Sequence, residues 1–415
     1  MERIRIAVIG GGAAGLMAAG RLGELSGASE YASVTLFEKN QSVGRKLAIT
    51  GKGRCNVTNN CDVNTFLENV PRNPRFLYSA LGEFSPADTI EFFENRGVKL
   101  KTERGRRVFP LSDKSYDIVD SLRSYCFENK VKIINTAIDK IEYSDSGITL
   151  FAGSLRHTFE KVIIATGGAS YPLTGSTGDG YRFARSLGIG VTELRASLVP
   201  LETSEDFVKK LMGLSLKNVS LKAFDSKGNL CHEEFGEMLF THFGVSGPMV
   251  LSTSAHLPDI TEGKYRLTID LKPALDEKTL DRRIVSDFEK YKNRNLENAL
   301  KDLLPSKMIP VFVSLTEIDR EKKVNSITRE ERAKIVSLLK GFSLTVKRTR
   351  PISEAIITSG GIDVKEINPK TMESRKFPGI YFAGEIIDVD AYTGGYNLQI
   401  AFSSARLAAK SAIYS

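Results

Sequence analysis

The stretch that most constrains this chain is RIRIAVIGGGAAG, residues 3–15. Ile4, Ile6, Val8 and Ile9 make the β-branched run of a central parallel strand covered on both faces. Gly10, Gly12 and Gly15 follow at G-x-G-x-x-G spacing, and Ala13–Leu25 reads as the next helix. The first glycine permits a tight turn, the second lets backbone approach a diphosphate, and the third lets the helix pack closely on the strand. N–H groups and the dipole at the helix start favour an anion, so no lysine is needed there. Val34–Glu38 reads as the second strand, and Glu38 lies 23 residues after Gly15 (38 − 15). A carboxylate at that place accepts hydrogen bonds from ribose hydroxyls and repels a 2′-phosphate.

Glycine-rich segments recur after other strand-like runs. Residues 41–59, QSVGRKLAITGKGRCNVTN, read as a functional loop: Gly44, Gly51 and Gly53 permit close backbone approach, and Arg45, Lys46, Lys52 and Arg54 supply charge for phosphates. The run Lys161–Ala165 ends in Thr166-Gly167-Gly168. Ser176–Gly180 opens the helix Tyr181–Leu187, where Asp179 reads either as a cap or as a polar group near a cofactor. The run Gly379–Ala383 ends in Gly384-Glu385, and Thr393-Gly394-Gly395 leads into a helix beginning near Asn397.

A chain of 415 residues implies two or three domains. Between about 191 and 345 the pattern changes to strand-like alternation, as in SLVPLET, VSLKAFDSKGNL and KYRLTIDL, with helical periodicity over about 273–340. The expected fold class is α/β. A doubly wound dinucleotide-binding domain, residues 1–190 plus 346–415, is interrupted by a β-rich insert, 191–345, carrying a small helical bundle. No apolar run reaches membrane-spanning length. Four cysteines without C-x-x-C spacing, and a first strand beginning almost at Met1, point to a cytoplasmic protein with free thiols. Four scattered histidines give no metal motif. The net charge of +8 raises nucleic-acid binding, but acids interrupt the basic residues and no long basic run occurs. Nucleic acid is therefore not expected as a partner.

The blocks VIGGGAAGLMAA, GRKLAITGKGRCNVTN, ATGGASYPLTGSTGDGY, FTHFGVSGP and AGEIIDVDAYTGGYNLQIAFSSA together resemble the BaiN-like, aminoacetone-oxidase-type family of FAD-dependent oxidoreductases. Lys52 departs from the pattern, which commonly has glycine there. The resemblance implies a Rossmann-type FAD domain with an inserted β-barrel-like substrate domain, and FAD held non-covalently. It places Ala14 and Glu38 at the diphosphate and ribose and Ala137 at the adenine, and the motif reading sets Gly10, Gly12, Ala13, Gly15 and Lys39 beside them. Arg45, Lys46, Gly51, Gly53, Arg54, Cys55 and Asn56 fall on the flavin and ribityl side. Glu385, Asn397 and Leu398 close the ribityl and pyrimidine end, while the glycine-rich strand ends themselves add Thr166, Gly167 and Gly384, with Asp179 a cap or a cofactor contact.

The implied activity is hydride transfer between flavin and a small organic substrate, an amine or amino-ketone or else a conjugated ketone. O2 or NAD(P)H is the second partner. The alternative is a flavoprotein that binds RNA or protein and uses FAD structurally or for nucleotide modification. Only one complete G-x-G-x-x-G is present, so a nicotinamide must reach the flavin without a Rossmann domain of its own. His242, in FTHFGVSGP, is the candidate for proton exchange; the competing reading is a histidine that pins its turn. Cys55 reads as a packing residue, and Tyr392 and Tyr396 as an aromatic wall or ordinary core. Monomer and homodimer are both compatible with the sequence.

Overall fold

The computed structural model describes residues 3–27 and 31–414. The chain divides into two compact units, Met1–Ala196 with Ala355–Ser415, and Ser197–Glu354. In the first, five strands form one parallel sheet in the order Ile380–Phe382, Lys161–Ile164, Ile4–Ile9, Ala32–Glu38, Lys132–Asn135. Ile6 pairs with Val34 on one side and Lys161 on the other, and Ile6, Ala7, Val8 and Ile9 are all buried. That is the continuous apolar strand expected where both faces are covered. Parallel strands end on one edge, so Gly10, Glu38, Thr166 and Gly384 gather there. The helices Ala13–Leu25 and Tyr396–Tyr414 pack on each other. Both helices are rich in buried alanine, whose small side chain allows close approach.

Two expectations need adjustment. Residues 41–59 are not all loop: Arg45–Gly53 is helical with a break at Thr50–Lys52. Leu47 is buried, and Ser115 Oγ donates to Ala48 O at 2.5 Å, so packing holds a turn that the glycine content conceals. The strand Phe342–Thr349 runs through position 346 and stays in the second unit, while Arg195–Ser197 pairs with Ile357–Ser359. Both crossings between units therefore fall slightly later than the sequence pattern suggests.

The second unit is built on a closed six-stranded barrel in the order Leu201–Thr203, Gly244–Ser246, Leu230–Phe240, Ser215–Asp225, Tyr265–Asp270, Phe342–Thr349. Tyr265, Leu267 and Ile269 alternate into its core, as KYRLTIDL requires. Between the last two strands lie the helices Glu277–Lys290 and Arg329–Lys340. Asp276 caps the first, and Thr328 with Glu331 forms a capping box on the second.

On the barrel, the rings of His232 and His256 stack with centroids 3.8 Å apart. Burial, and then His232, lower the pKa of His256 to about 4. Its folded value lies below the ordinary 6.5. The contribution to stability is therefore complete above pH 6.5 and is lost as pH falls toward 4. Thermal melts across that window should show His256→Phe losing less Tm on acidification than wild type; parallel losses would refute the assignment.

Candidate functional site

The sheet edge is knitted by backbone. Gly10 N donates to Phe37 O (2.8 Å), Ala165 N to Ile9 O (2.9 Å), and Gly44 N to Gly11 O (2.7 Å). Gly10 has φ 104°, and a Cβ there would stand 2.5 Å from Ala165 O. A Cβ on Gly15 would lie 1.7 Å from Gly10 O, whereas one on Gly12 would meet nothing within 4 Å. Gly12 begins the helix Ala13–Leu25 without any side-chain cap. The N–H groups of Ala13, Ala14 and Gly15 thus lack intrahelical acceptors, next to an open face. Ala14 itself is buried, and a Cβ on Gly384 would come within 2.7 Å of its methyl.

Glu38 is buried, and both its oxygens are engaged. Oε2 accepts from Gly11 N (2.7 Å), and Oε1 accepts from Asn40 N (2.8 Å) and Asn40 Nδ2 (2.6 Å). Lys39 Nζ donates to Thr177 Oγ1 (2.6 Å) and Asp179 Oδ2 (2.7 Å). Asp179 is the first residue of the helix Asp179–Ser186, which begins from Gly178. Burial would raise its pKa, but Lys39, Thr177 and Arg182 together hold it below the usual carboxylate value. Ala137 is exposed just beyond Lys132–Asn135.

On the other side of the glycine turn, Lys46 Nζ donates to Glu385 Oε2 (2.6 Å) and Ser170 Oγ (2.7 Å). Glu385 Oε1 also accepts from Thr358 N (2.9 Å) and Ser170 Oγ (3.0 Å). Four distant positions are thereby drawn to one point. Arg45 donates to Asn40 Oδ1 (2.8 Å), and Arg54 is paired with Glu103 and Asp113 while its guanidinium lies 4.1 Å over the Phe109 ring. Gly51, Lys52, Gly53 and Cys55 all have left-handed φ. Burial pushes the Cys55 thiol up to about 12, so it is a neutral packing group at physiological pH.

Asn56 Oδ1 is buried without a partner, and a Cβ on Gly395 would approach it to 2.9 Å. Thr166 Oγ1 is also unpartnered and lies over Gly180; Gly167 has φ 72°. Asn397 spends its side chain on its own loop, accepting from Ala391 N (2.9 Å) and donating to Ala391 O (2.7 Å). Leu398 packs on the core in the first turn of Tyr396–Tyr414. Gly384 N donates to Ser404 Oγ (2.9 Å). His242 belongs to the second unit, on an exposed turn, with its ring 5.0 Å from that of Phe243. The residues that sequence reasoning missed are the organisers Asn40, Glu103, Asp113, Ser170 and Thr358. Their partners are remote in sequence, and only Ser170 sat in a conspicuous block.

The open face at Gly12, the uncapped helix start and the lone Asn56 acceptor fit a flavin dinucleotide, which brings a diphosphate and N–H groups. A Rossmann-type sheet with such a cradle, joined to a barrel unit, defines an FAD-binding oxidoreductase. The chain belongs to the HI0933-like, or BaiN-like, family: the model described as "HI0933-like protein Rossmann domain" matches residues 4–411. Among its relatives is a 3-dehydro-bile acid delta(4,6)-reductase of Clostridium scindens, 30% identical over 98% of each chain. Ribosomal RNA dihydrouridine synthases of Escherichia coli (31% identical, 98% of this chain and 97% of that one) and Haemophilus influenzae (33%, 96% of each) are also similar. In fold, the whole chain aligns with 70% of an Escherichia coli quinol fumarate reductase FrdA variant (TM-score 0.52, 16% identity). It also aligns with all of a Sterolibacterium denitrificans 3-ketosteroid delta1-dehydrogenase (TM-score 0.51, 14%).

Two substitutions separate cradle from scaffold. Gly12→Ala should melt like wild type yet bind FAD about 100-fold more weakly, a loss of ~3 kcal/mol. Gly15→Ala should lose about 3 kcal/mol of stability through overpacking. Equal FAD affinity in Gly12→Ala and wild type, measured by flavin fluorescence titration, would refute the cradle. At Lys52, φ 59° and ψ 41° place a side chain in left-handed backbone. Lys52→Gly should therefore raise stability in denaturant melts by about 1 kcal/mol; an unchanged midpoint would argue against strain there.

Proposed function

We propose that the protein uses FAD to reduce a carbon–carbon double bond conjugated to a carbonyl, with NAD(P)H as electron donor. The observation that carries this reading is a chemical agreement between relatives with different substrates. One is named for reducing a 3-dehydro bile acid and two for making dihydrouridine in ribosomal RNA. Both names describe two hydrogens added across a double bond beside a carbonyl. A small conjugated ketone and a uracil base thus ask the same of a site. Amine oxidation by O2 finds no counterpart in these names.

In this reading Gly10, Gly12 and the N–H groups of Ala13, Ala14 and Gly15 hold the diphosphate, Glu38 the ribose and Ala137 the adenine. Lys39 and Asp179 neutralise each other beside them. Lys46, Gly51, Gly53, Asn56, Thr166, Gly167, Gly384, Glu385 and Leu398 surround the flavin end. The Lys46–Glu385 pair fixes two chain segments without leaving either charge free. Arg45, Arg54 and Asn397 support the walls through Asn40, through Glu103 and Asp113, and through Ala391. Cys55 keeps its proton and contributes shape. When bound, FAD supplies the hydride, and the protein supplies orientation and electrostatics.

Anaerobic mixing of the FAD-loaded protein with NADPH should bleach the flavin within seconds, and an added conjugated enone or uridine-containing RNA should restore the colour. Bleaching that only O2 reverses would favour an oxidase and overturn the reductase reading.

A further inference from the structure

The hairpin of Leu100–Glu103 and Arg107–Pro110 turns through Arg104, Gly105 and Arg106. Three arginines in four residues stand at its tip, all exposed. Among the described residues no carboxylate pairs with Arg104, Arg106 or Arg107. The neighbouring cations differ: Arg54 is held by Glu103 and Asp113, Lys101 by Asp113 (2.7 Å), and Arg72 by Asp388. Glu103 and Asp113 are thus already committed to other cations, and Asp62, near Cys61, caps the helix Val63–Glu68 through Thr65 without forming an ion pair with the turn.

The turn is also rigid and strained. Gly105 and Arg106 are consecutive left-handed residues, φ 75° and 59°. Arginine at such a position is disfavoured relative to glycine. Asn60 N donates to Arg106 O (2.7 Å), and Arg107 Nε donates to Arg104 O (3.0 Å). Asn59 Nδ2 donates to Gly105 O and to Gly394 O, both at 3.0 Å. One amide therefore ties the arginine turn to the double-glycine loop that starts the helix Tyr396–Tyr414. Arg106 also acts electrostatically on Tyr396 and Cys61. Gly51 lies beside the ring of Phe109 on the same hairpin, which brings exposed Lys52 into the neighbourhood.

We propose that the Arg104–Arg107 turn binds phosphate groups of a nucleotide ligand at the rim of the FAD site. Guanidinium forks match phosphate oxygens bidentately, and a pinned turn loses little freedom on binding them. The glycine cradle takes only one diphosphate, and the chain has no second G-x-G-x-x-G. A second nucleotide visiting the flavin therefore needs another phosphate anchor, and this turn supplies it. The phosphate has two possible sources, the nicotinamide dinucleotide donor or the backbone of an RNA substrate. The proposal rests on the FAD-dependent reading above and deepens it by naming the ligand class.

The test uses the full FAD-loaded chain with Arg104, Arg106 and Arg107 all changed to Gln, and separately R106G. R106G relieves the strain while removing one charge, so it guards against misfolding as an explanation. FAD content and Tm should match wild type or, for R106G, exceed it. Binding of NADPH and of a short single-stranded RNA is measured directly, at low and moderate salt. The triple variant should weaken one of them at least about tenfold, with a shallower salt dependence, and R106G should weaken the same ligand less. Weaker NADPH binding identifies the dinucleotide as the source, and weaker RNA binding identifies the backbone. Unchanged affinity for both at full FAD content overturns the proposal. Wild type that binds these ligands but is not bleached by NADPH defeats the reductase reading instead, and leaves the phosphate anchor to be judged by the binding alone.

Discussion

Everything in the first unit depends on how closely one helix presses onto one strand. Gly15 sits so near Gly10 O that no side chain fits, and Gly10 in turn sits against Ala165. That contact fixes where the helix begins, and the helix start fixes where unpaired N–H groups stand. Around it, Gly10, Gly11 and Ala165 spend their hydrogen bonds on Phe37, Glu38, Gly44 and Ile9. Three strand ends and the following segment are thereby locked to a common origin. Of the turn glycines Gly10, Gly11, Gly12 and Gly15, Gly12 alone keeps an open face. Close packing elsewhere is what makes an opening there specific.

A second layer works through charge. Lys46, Ser170, Thr358 and Glu385 come from four parts of the sequence and meet in one hydrogen-bonded group. A half-buried ion pair adds little net stability once desolvation is counted. Its value here is positional: it holds the Arg45–Gly53 helix against the end of the last sheet strand. Arg54 and Lys39 are treated in the same way, each neutralised by acids from other elements. The wall residues are therefore preorganised rather than left as mobile charges.

Local patterns in the sequence announce the sheet, the first and last helices and the alternating strands of the insert, because burial on one or both faces imposes a period. Ser85-Pro86 and Thr328 mark helix starts, and both positions carry capping boxes. The turn at Gly10 and the close helix–strand contact at Gly15 were legible too, since each follows from backbone geometry. Barrel closure was not legible in the strands themselves: pairing of Leu201 with Thr349 joins segments far apart, and no local period encodes it. The same holds for the cations. Nothing near Arg54 in sequence tells that Glu103 and Asp113 will claim it, nor that the Asn397 amide will bond Ala391 of its own loop. The turn over Arg45–Gly53 was hidden because glycines masked a helix held by tertiary contacts.

The first unit draws its last strand, Ile380–Phe382, and its closing helix, Tyr396–Tyr414, from beyond the insert. During synthesis the ribosome must deliver the whole second unit before that sheet can be finished. The barrel has an uninterrupted stretch of chain and a core of its own, so it can condense while the earlier strands wait. The glycine cradle is thus complete only after Tyr396–Tyr414 has docked, and a nucleotide bound there would latch a finished sheet.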